Sequence, residues 1–246
     1  MNLSIIKPRI FPEEKIISGV TERNQHLHPF GFSFCATEAI DKETAHKHRI
    51  LLAKALGVKV SDFVFLKQIH SDIIHILNDS FNETEGDALI TQQAGKILVV
   101  KIADCAGVLV YDPINNVVCA IHSGWRGSSK KIVQKTIQLM QRNYGTEPEK
   151  LLVYISPLAS GEKYEVGKEV ALLFPNSVKE KSGKYFFDNR KEIILQLLEL
   201  GVYANNIEVS NLCTISNLNL HSFRRDKTNS GRMACFIGIK EKNREL

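Results

Sequence analysis

"ADCAGVLVYDPINNVVCAIHSGW" (residues 103–125) decides how this chain folds. Two apolar runs, "GVLVY" and "VVCAI", are rich in β-branched and aromatic residues and flank "DPINN", a turn built from Asp, Pro and Asn. That pattern predicts an antiparallel hairpin. With Tyr111 facing Val117, counting outward sets Cys105 level with Ser123, one residue from His122. Both side chains then stand at the open end of one hairpin, where paired β-carbons lie about 5 Å apart.

Further strand-like runs surround it: "FVFLKQI", "DIIHIL", "DALIT", "ILVVKI", "LLVYI" and "ACFIGI". "DKETAHKHRILLAKALG" predicts a helix from an Asp41 cap to a stop at Gly57. "SSKKIVQKTIQLMQRNYG" predicts a second, with capping serines and Ile132, Val133, Ile137 and Met140 on one face. "DNRKEIILQLLELG" predicts a third between Asp188 and Gly201, and "KEVALLF" a shorter one. Several strands in succession before the second helix predict α+β architecture, with mixed β-sheet layers covered by helices, over regular βαβ winding. No repeat or low-complexity linker divides the chain, which reads as one domain over residues 1–246.

With 43% hydrophobic and 24% charged residues, the composition is that of a globular protein rather than a disordered one. The net charge of +5 is scattered, and its densest patch, "FRRDKTNSGR" (residues 223–232), still contains Asp226. Nucleic-acid binding calls for a stronger basic stripe, whereas a small anion such as phosphate suits this modest excess. No segment has the apolar length of a membrane span. "MNLSIIKPRI" is broken by charge and proline, unlike a secretory signal. The five cysteines (Cys35, Cys105, Cys119, Cys213 and Cys235) form no C-x-x-C pair, so the expectation is a cytoplasmic protein with reduced thiols.

A cysteine and a histidine at one hairpin end suit two chemistries. The imidazole can activate a thiolate nucleophile, or both groups can hold a metal. "LKQIHSDIIHIL" puts His70 at the same kind of strand end. His70, Cys105 and His122 would give zinc three ligands and leave one position open, the pattern of catalytic rather than structural zinc. Taken singly, His70 reads equally as a surface histidine and Cys105 as a small buried hydrophobe. The spacings of 35 and 17 residues match no compact zinc motif. The H-x-H pairs His26/His28 and His46/His48 read as solvated loop and helix residues.

"QIHSD", "GDALIT", "ADCAGVLV", "AIHSGWRG", "YEVG" and "CTISNLNLHSFRRDKTNSGR" follow one another in an order that gives the chain its resemblance. It resembles the YfiH-like proteins, labelled laccase-domain or polyphenol oxidoreductase proteins and associated with purine nucleoside phosphorylase and adenosine deaminase activity. The resemblance runs from about residue 29 to residue 239. It implies an α+β fold and a zinc site on His70, Cys105 and His122. Four departures stand out: Gly107 where the family pattern has proline, "ISP" where it has I-G-P, Ser71 after His70 where it has glycine, and "HSFRRD" where it has F-S-Y-R-R-D. The ligands are intact, so the departures bear on pocket shape and substrate preference.

The implied substrates are a purine nucleoside (adenosine, inosine, guanosine or methylthioadenosine) and phosphate. Zinc with an open position can activate water or polarise a substrate oxygen. Loss of ammonia from adenosine also needs a carboxylate to move protons, and Asp87 and Asp104, each at a strand end, are the candidates; both read equally as supporting structure. Phosphorolysis needs an anion held near the ribose. Gly124, Gly127, Ser128 and Ser129 before a helix could offer backbone N–H groups, or could form an ordinary glycine turn with serine caps. Arg126, Arg49, Arg224 and Arg225 are candidate phosphate or ribose contacts. Trp125 could stack on a purine or belong to the core. The runner-up activity is a Cys-His hydrolase, with Cys105 as nucleophile and His122 as base, acting on a substrate such as a cell-wall precursor. A non-enzymatic zinc-binding module is a third reading. A multicopper oxidase needs a blue-copper site and a trinuclear cluster, and eight histidines without an H-C-H segment fit that poorly.

Overall fold

The computed structural model describes residues 3–27, 30–78, 81 and 84–241; His28 of the first H-x-H pair lies outside them. In chain order the elements begin with β1 (Ile5–Ile6), β2 (Ile16–Thr21), α1 (Lys42–Leu56), β3 (Phe63–Phe65), β4 (Ile74–Ile76) and β5 (Ala88–Thr91). They continue with β6 (Ile97–Ile102), β7 (Ala106–Asp112), β8 (Val117–Ser123), α2 (Trp125–Ser129), α3 (Ile132–Tyr144) and β9 (Leu152–Ile155). The last are β10 (Glu165–Val166), α4 (Lys168–Ala171), β11 (Val178–Lys181), β12 (Lys184–Phe187), α5 (Asn189–Glu199), β13 (Ile207–Val209), α6 (Phe223–Asp226) and β14 (Met233–Ile239).

Two mixed sheets carry the fold, ordered β1-β2-β14-β6-β3 and β13-β9-β7-β8-β5-β4, with a small third sheet, β10-β12-β11. Both faces of the β7–β8 hairpin are buried, so its strands read as unbroken apolar runs. Leu109, Tyr111, Val118 and Ala120 point toward the first sheet and pack with Val100, Cys235 and Ile237. Their alternate neighbours Val108, Val110, Cys119 and Ile121 pack on the helices, against Val133, Ile137 and Met140 of α3 and Ile193 and Leu197 of α5. Leu52 and Ala53 of α1, with Phe32 and Phe34, cover the far side of the first sheet. The result is the expected α+β sandwich: helix, sheet, sheet, helices. No helix among the described residues is long and apolar enough to cross a membrane.

The first helix begins and ends where its sequence predicts. The Asp41 side chain accepts from the Thr44 N–H, and Gly57 closes the helix at φ 67°. The third starts at its Asp188 cap. The second does not form as one piece. Residues 125–129 make the separate α2, and Lys131, at φ 59°, turns the chain before α3 begins at Ile132. The serines therefore do not cap α3.

The hairpin register also differs by one residue from the expectation. Asp112 pairs with Val117, and Gly107 with His122, so Ala106, not Cys105, faces Ser123. The loop closes over four residues rather than five because Asp112 Oδ1 accepts the N–H groups of both Ile114 and Asn115 at 3.0 Å, and Asn116 takes φ 53°. A one-residue slip reverses the faces of a strand. Cys105 still reaches His122 because β7 begins only at Ala106, and Asp104, at φ 89°, redirects the chain just before it.

Candidate functional site

The carboxylate of Asp87, fully buried at the head of β5, organises the site. His70 takes φ 58°, and this left-handed residue turns three successive backbone N–H groups toward one anion. Ile69 N and Ser71 N donate to Asp87 Oδ2 at 3.3 and 2.6 Å, and His70 N donates to Oδ1 at 3.2 Å. The Ser71 hydroxyl adds a further bond to Oδ2 at 2.6 Å, a donor that glycine at this position would lack. Oδ1 also accepts from His122 Nδ1 at 2.7 Å. Burial alone would raise the Asp87 pKa; the hydrogen bonds from His122 and Ser71 outweigh it and bring it to about 2.

With Nδ1 held by Asp87, His122 has Nε2 left for a ligand. The ligand atoms of His70, Cys105 and His122 all lie within 4.8 Å of one another, and the two imidazoles meet edge-on at 4.9 Å. Cys105 Sγ is 3.9 Å from His70 Nε2. Burial raises the Cys105 pKa, but the His122 charge and hydrogen bonds from both histidines lower it further, to about 6. Burial disfavours protonated His122, and the Cys105 and Asp87 charges overcome that and raise its pKa. The pair therefore has thiolate–imidazolium character. Two imidazoles and a thiolate match the donor set of a three-ligand zinc site, in which bonds of about 2.0–2.3 Å put ligand atoms roughly 3.5 Å apart. Gly124 permits this close approach: a Cβ there would stand 2.8 Å from Cys105 Sγ.

The trio opens into a cavity of about 550 Å³ that also takes in Asp104, Trp125, Arg126 and Arg224. Asp104 lines it but is already engaged, accepting from Thr214 Oγ1 and Arg224 N at 2.6 Å each. Asp87 does not line it and stands behind His122, so it can touch a ligand only through that imidazole. Arg126 lies over the Trp125 ring at 4.3 Å, and Trp125 also packs against the cluster of Val170, Phe174 and Phe187. Arg224 lies over Tyr164 at 5.0 Å and donates to the Glu165 carbonyl.

Other predicted contacts sit elsewhere. Arg225 is outside the cavity, its guanidinium held by the carbonyls of Thr214, Asn217 and Leu220 and by Asp226. Arg49 lies against Phe34 and Phe65. Gly127 is buried against Ile132 and the His122 carbonyl. Ser128 faces inward: its hydroxyl bonds Ser123 and Asn189, and its N–H bonds the Gly124 carbonyl. Of the N–H groups expected to cradle an anion, that of Ser128 is thus engaged within α2. Tyr164, Lys101 and Arg232 line the cavity and were not singled out from the sequence. "YEVG" and "NSGR" flagged two of these neighbourhoods without assigning the side chains. Burial pushes the Tyr164 phenol up to about 12, so it remains a neutral O–H donor.

Two departures from the family pattern answer each other across β7 and β9. Gly107 has an N–H, which proline lacks, and donates it to Ser156 Oγ at 2.9 Å, an oxygen that glycine at 156 would lack. Gly107 also admits Cys235, whose Sγ would stand 2.6 Å from any Cβ there.

A family model described as multi-copper polyphenol oxidoreductase laccase matches residues 19–240. The purine nucleoside phosphorylase of Clostridium acetobutylicum is 40% identical over 186 residues, 72% of this chain and 77% of that protein. The purine nucleoside phosphorylase of Deinococcus radiodurans is 35% identical over 209 residues, 81% of this chain and 79% of that protein. The crystal structure of the hypothetical protein YfiH of Bacillus licheniformis superposes with a TM-score of 0.86 at 26% identity, covering 92% of this chain and 93% of that one. Sequence, fold and relatives agree: the chain belongs to the YfiH-type family described as multi-copper polyphenol oxidoreductase laccase.

Proposed function

We propose that this chain is a zinc-dependent purine nucleoside phosphorylase, cleaving a nucleoside with phosphate to free base and ribose 1-phosphate, and that the same cavity deaminates adenosine. The observation that carries the reading is one cavity joining the His70–Cys105–His122 trio to Trp125, Arg126 and Arg224, in a chain 40% identical to a protein named purine nucleoside phosphorylase. Zinc held by the trio would supply Lewis acidity near neutral pH. The chain's own groups do the rest. Asp87 fixes the tautomer of His122. Trp125 and Tyr164 offer aromatic surface to a purine, and Arg126 and Arg224 offer charge to phosphate. Asp104 is the only carboxylate lining the cavity among the described residues, so proton movement in deamination falls to it.

The reading favours zinc over the copper in the family's description because the described residues hold one His-Cys-His group, too few imidazoles for a multicopper set. The thiolate character of Cys105 also suits the hydrolase reading, and alkylation separates the two: zinc protects Cys105 from iodoacetamide, whereas a nucleophile reacts whether or not metal is present. The decisive experiment is a nucleoside panel with and without phosphate, resolved by chromatography, on wild type and His122→Ala at matched folding. Phosphate-dependent release of free base and phosphate-independent inosine from adenosine are expected, with both lost together in the variant. No turnover of any nucleoside, or full activity of the variant in either reaction, overturns the proposal.

A further inference from the structure

α2 brings Trp125 and Arg126 to the cavity of the His70–Cys105–His122 trio, yet it is only five residues long. A helix that short does not hold itself, so its placement depends on what it is tied to. Trp125 packs on Val170, Phe174 and Phe187 at one end. The buried residues of α2 are Gly127 and Ser128, neither with an apolar side chain. The rest of the anchor is therefore polar.

Three residues from three elements close a hydrogen-bonded ring there. Ser128 Oγ donates to Asn189 Oδ1 at 2.5 Å, and Asn189 Nδ2 donates to the Ser123 carbonyl at 2.7 Å. Ser123 Oγ lies 2.8 Å from Ser128 Oγ. The one hydroxyl hydrogen of Ser128 goes to Asn189, so the Ser123 hydroxyl is the donor to Ser128. All three residues are at most 2% exposed, so water does not replace a lost partner. Gln196 Nε2 adds a second tie from α5, to the Ser128 carbonyl at 2.9 Å. Ser123 is the last residue of β8 and follows His122 directly, and α2 leaves it through Gly124 alone. Asn189, the first residue of α5, thus holds both sides of that joint at once.

We propose that Asn189 is a positioning residue of this cavity. By holding Ser128 and the Ser123 carbonyl together it fixes the angle at which α2 leaves β8, and so where Trp125 and Arg126 stand relative to the trio. Its kinetic consequence rests on the nucleoside reading of the cavity, in which Trp125 and Arg126 meet base and phosphate; its effect on Trp125 does not.

Trp125 is the chain's only tryptophan, so its fluorescence reports on α2 with or without turnover. Asn189→Leu removes both bonds at similar size, and Ser128→Ala, a smaller change, removes one of them. Acrylamide should quench Trp125 about twofold more strongly in both variants, as the short helix loosens. The KM for the nucleoside should rise about tenfold with kcat changed far less, the scale of one lost buried hydrogen bond. Zinc affinity should stay as in wild type, because the trio and Asp87 are untouched. Ile193→Val lowers stability through the same helix without touching the ring, and should leave quenching and KM as they are. If Asn189→Leu does not fold, Ser128→Ala decides. Wild-type quenching in the folded variants overturns the inference, and so does stronger quenching with an unchanged KM. An equal change in Ile193→Val also overturns it, because loosening would then follow stability alone. A wild type that turns over no nucleoside refutes the proposed function instead, and the quenching then decides this inference by itself.

Discussion

Gly124 has no conformational reason to be glycine: its φ is −85°, which any residue adopts. The reason is space. A Cβ would stand 2.8 Å from Cys105 Sγ and 3.3 Å from His70 Cδ2, so even alanine must push two members of the trio apart. Gly124→Ala is therefore expected to keep its fold, while its zinc affinity, measured by competition with a chelator, falls by about tenfold or more. Wild-type affinity in this variant would mean that position 124 does not set the spacing of the trio. The trio itself was legible in the sequence because all three residues end apolar runs, a local signal. For Asp87 a supporting part was one of two readings, but the groups it holds were not legible. Its partners at residues 69–71 and 122 meet it only through the φ of His70 and the pairing of β5 with β8, neither of which leaves a mark in composition.

Where β7 meets β9, the Gly107–Ser156 bond replaces a pairing that proline and glycine could not make. Ser156 N returns a bond to the Gly107 carbonyl at 2.9 Å, so the two residues lock the start of the hairpin beside Cys105. Ser156→Gly leaves the buried Gly107 N–H without its acceptor and should cost about 1–3 kcal/mol, read as a lower urea midpoint at unchanged slope. A shift near zero would show that solvent or a backbone adjustment satisfies the group. Elements were legible where one strong local rule acts alone, as with the Asp41 and Asp188 caps. They were misread where a rule competes with tertiary context. Lys131 adopts a left-handed turn that sequence normally announces with glycine, so the break between α2 and α3 was invisible. Strands β11 and β12, "VKEK" and "KYFF", are only four residues each and carry little apolar alternation, and β11 is largely exposed.

At the scale of the whole molecule, His221 pins distant segments together. Its Nε2–H donates to the Phe32 carbonyl at 2.6 Å, and its Nδ1 accepts the Gly231 N–H at 3.1 Å. Burial, which outweighs the Phe32 bond, brings this imidazole down from 6.5 to about 4. The native state thus holds His221 neutral, and the unfolded chain binds the extra proton between those values. Stability is complete above about pH 6.5 and is lost as the pH falls toward 4, by about 3 kcal/mol from this group. Urea unfolding across that window should show the slope in wild type and a flatter one in His221→Gln; equal slopes would refute it. The order of strands has a consequence for synthesis. β14, residues 233–239, runs between β2 and β6, pairing Cys235 with both Val20 and Val100. During translation the second sheet has all its strands by residue 209, while the first waits for its middle strand. Until β14 leaves the ribosome, the facing edges of β2 and β6 have no partner, and the apolar side of the second sheet has no finished surface to cover it. Such long-range closure is slow, so the nascent chain spends its last stage of synthesis as a half-built sandwich. Holding chaperones would act on that interval, and truncation before residue 233 would make it permanent.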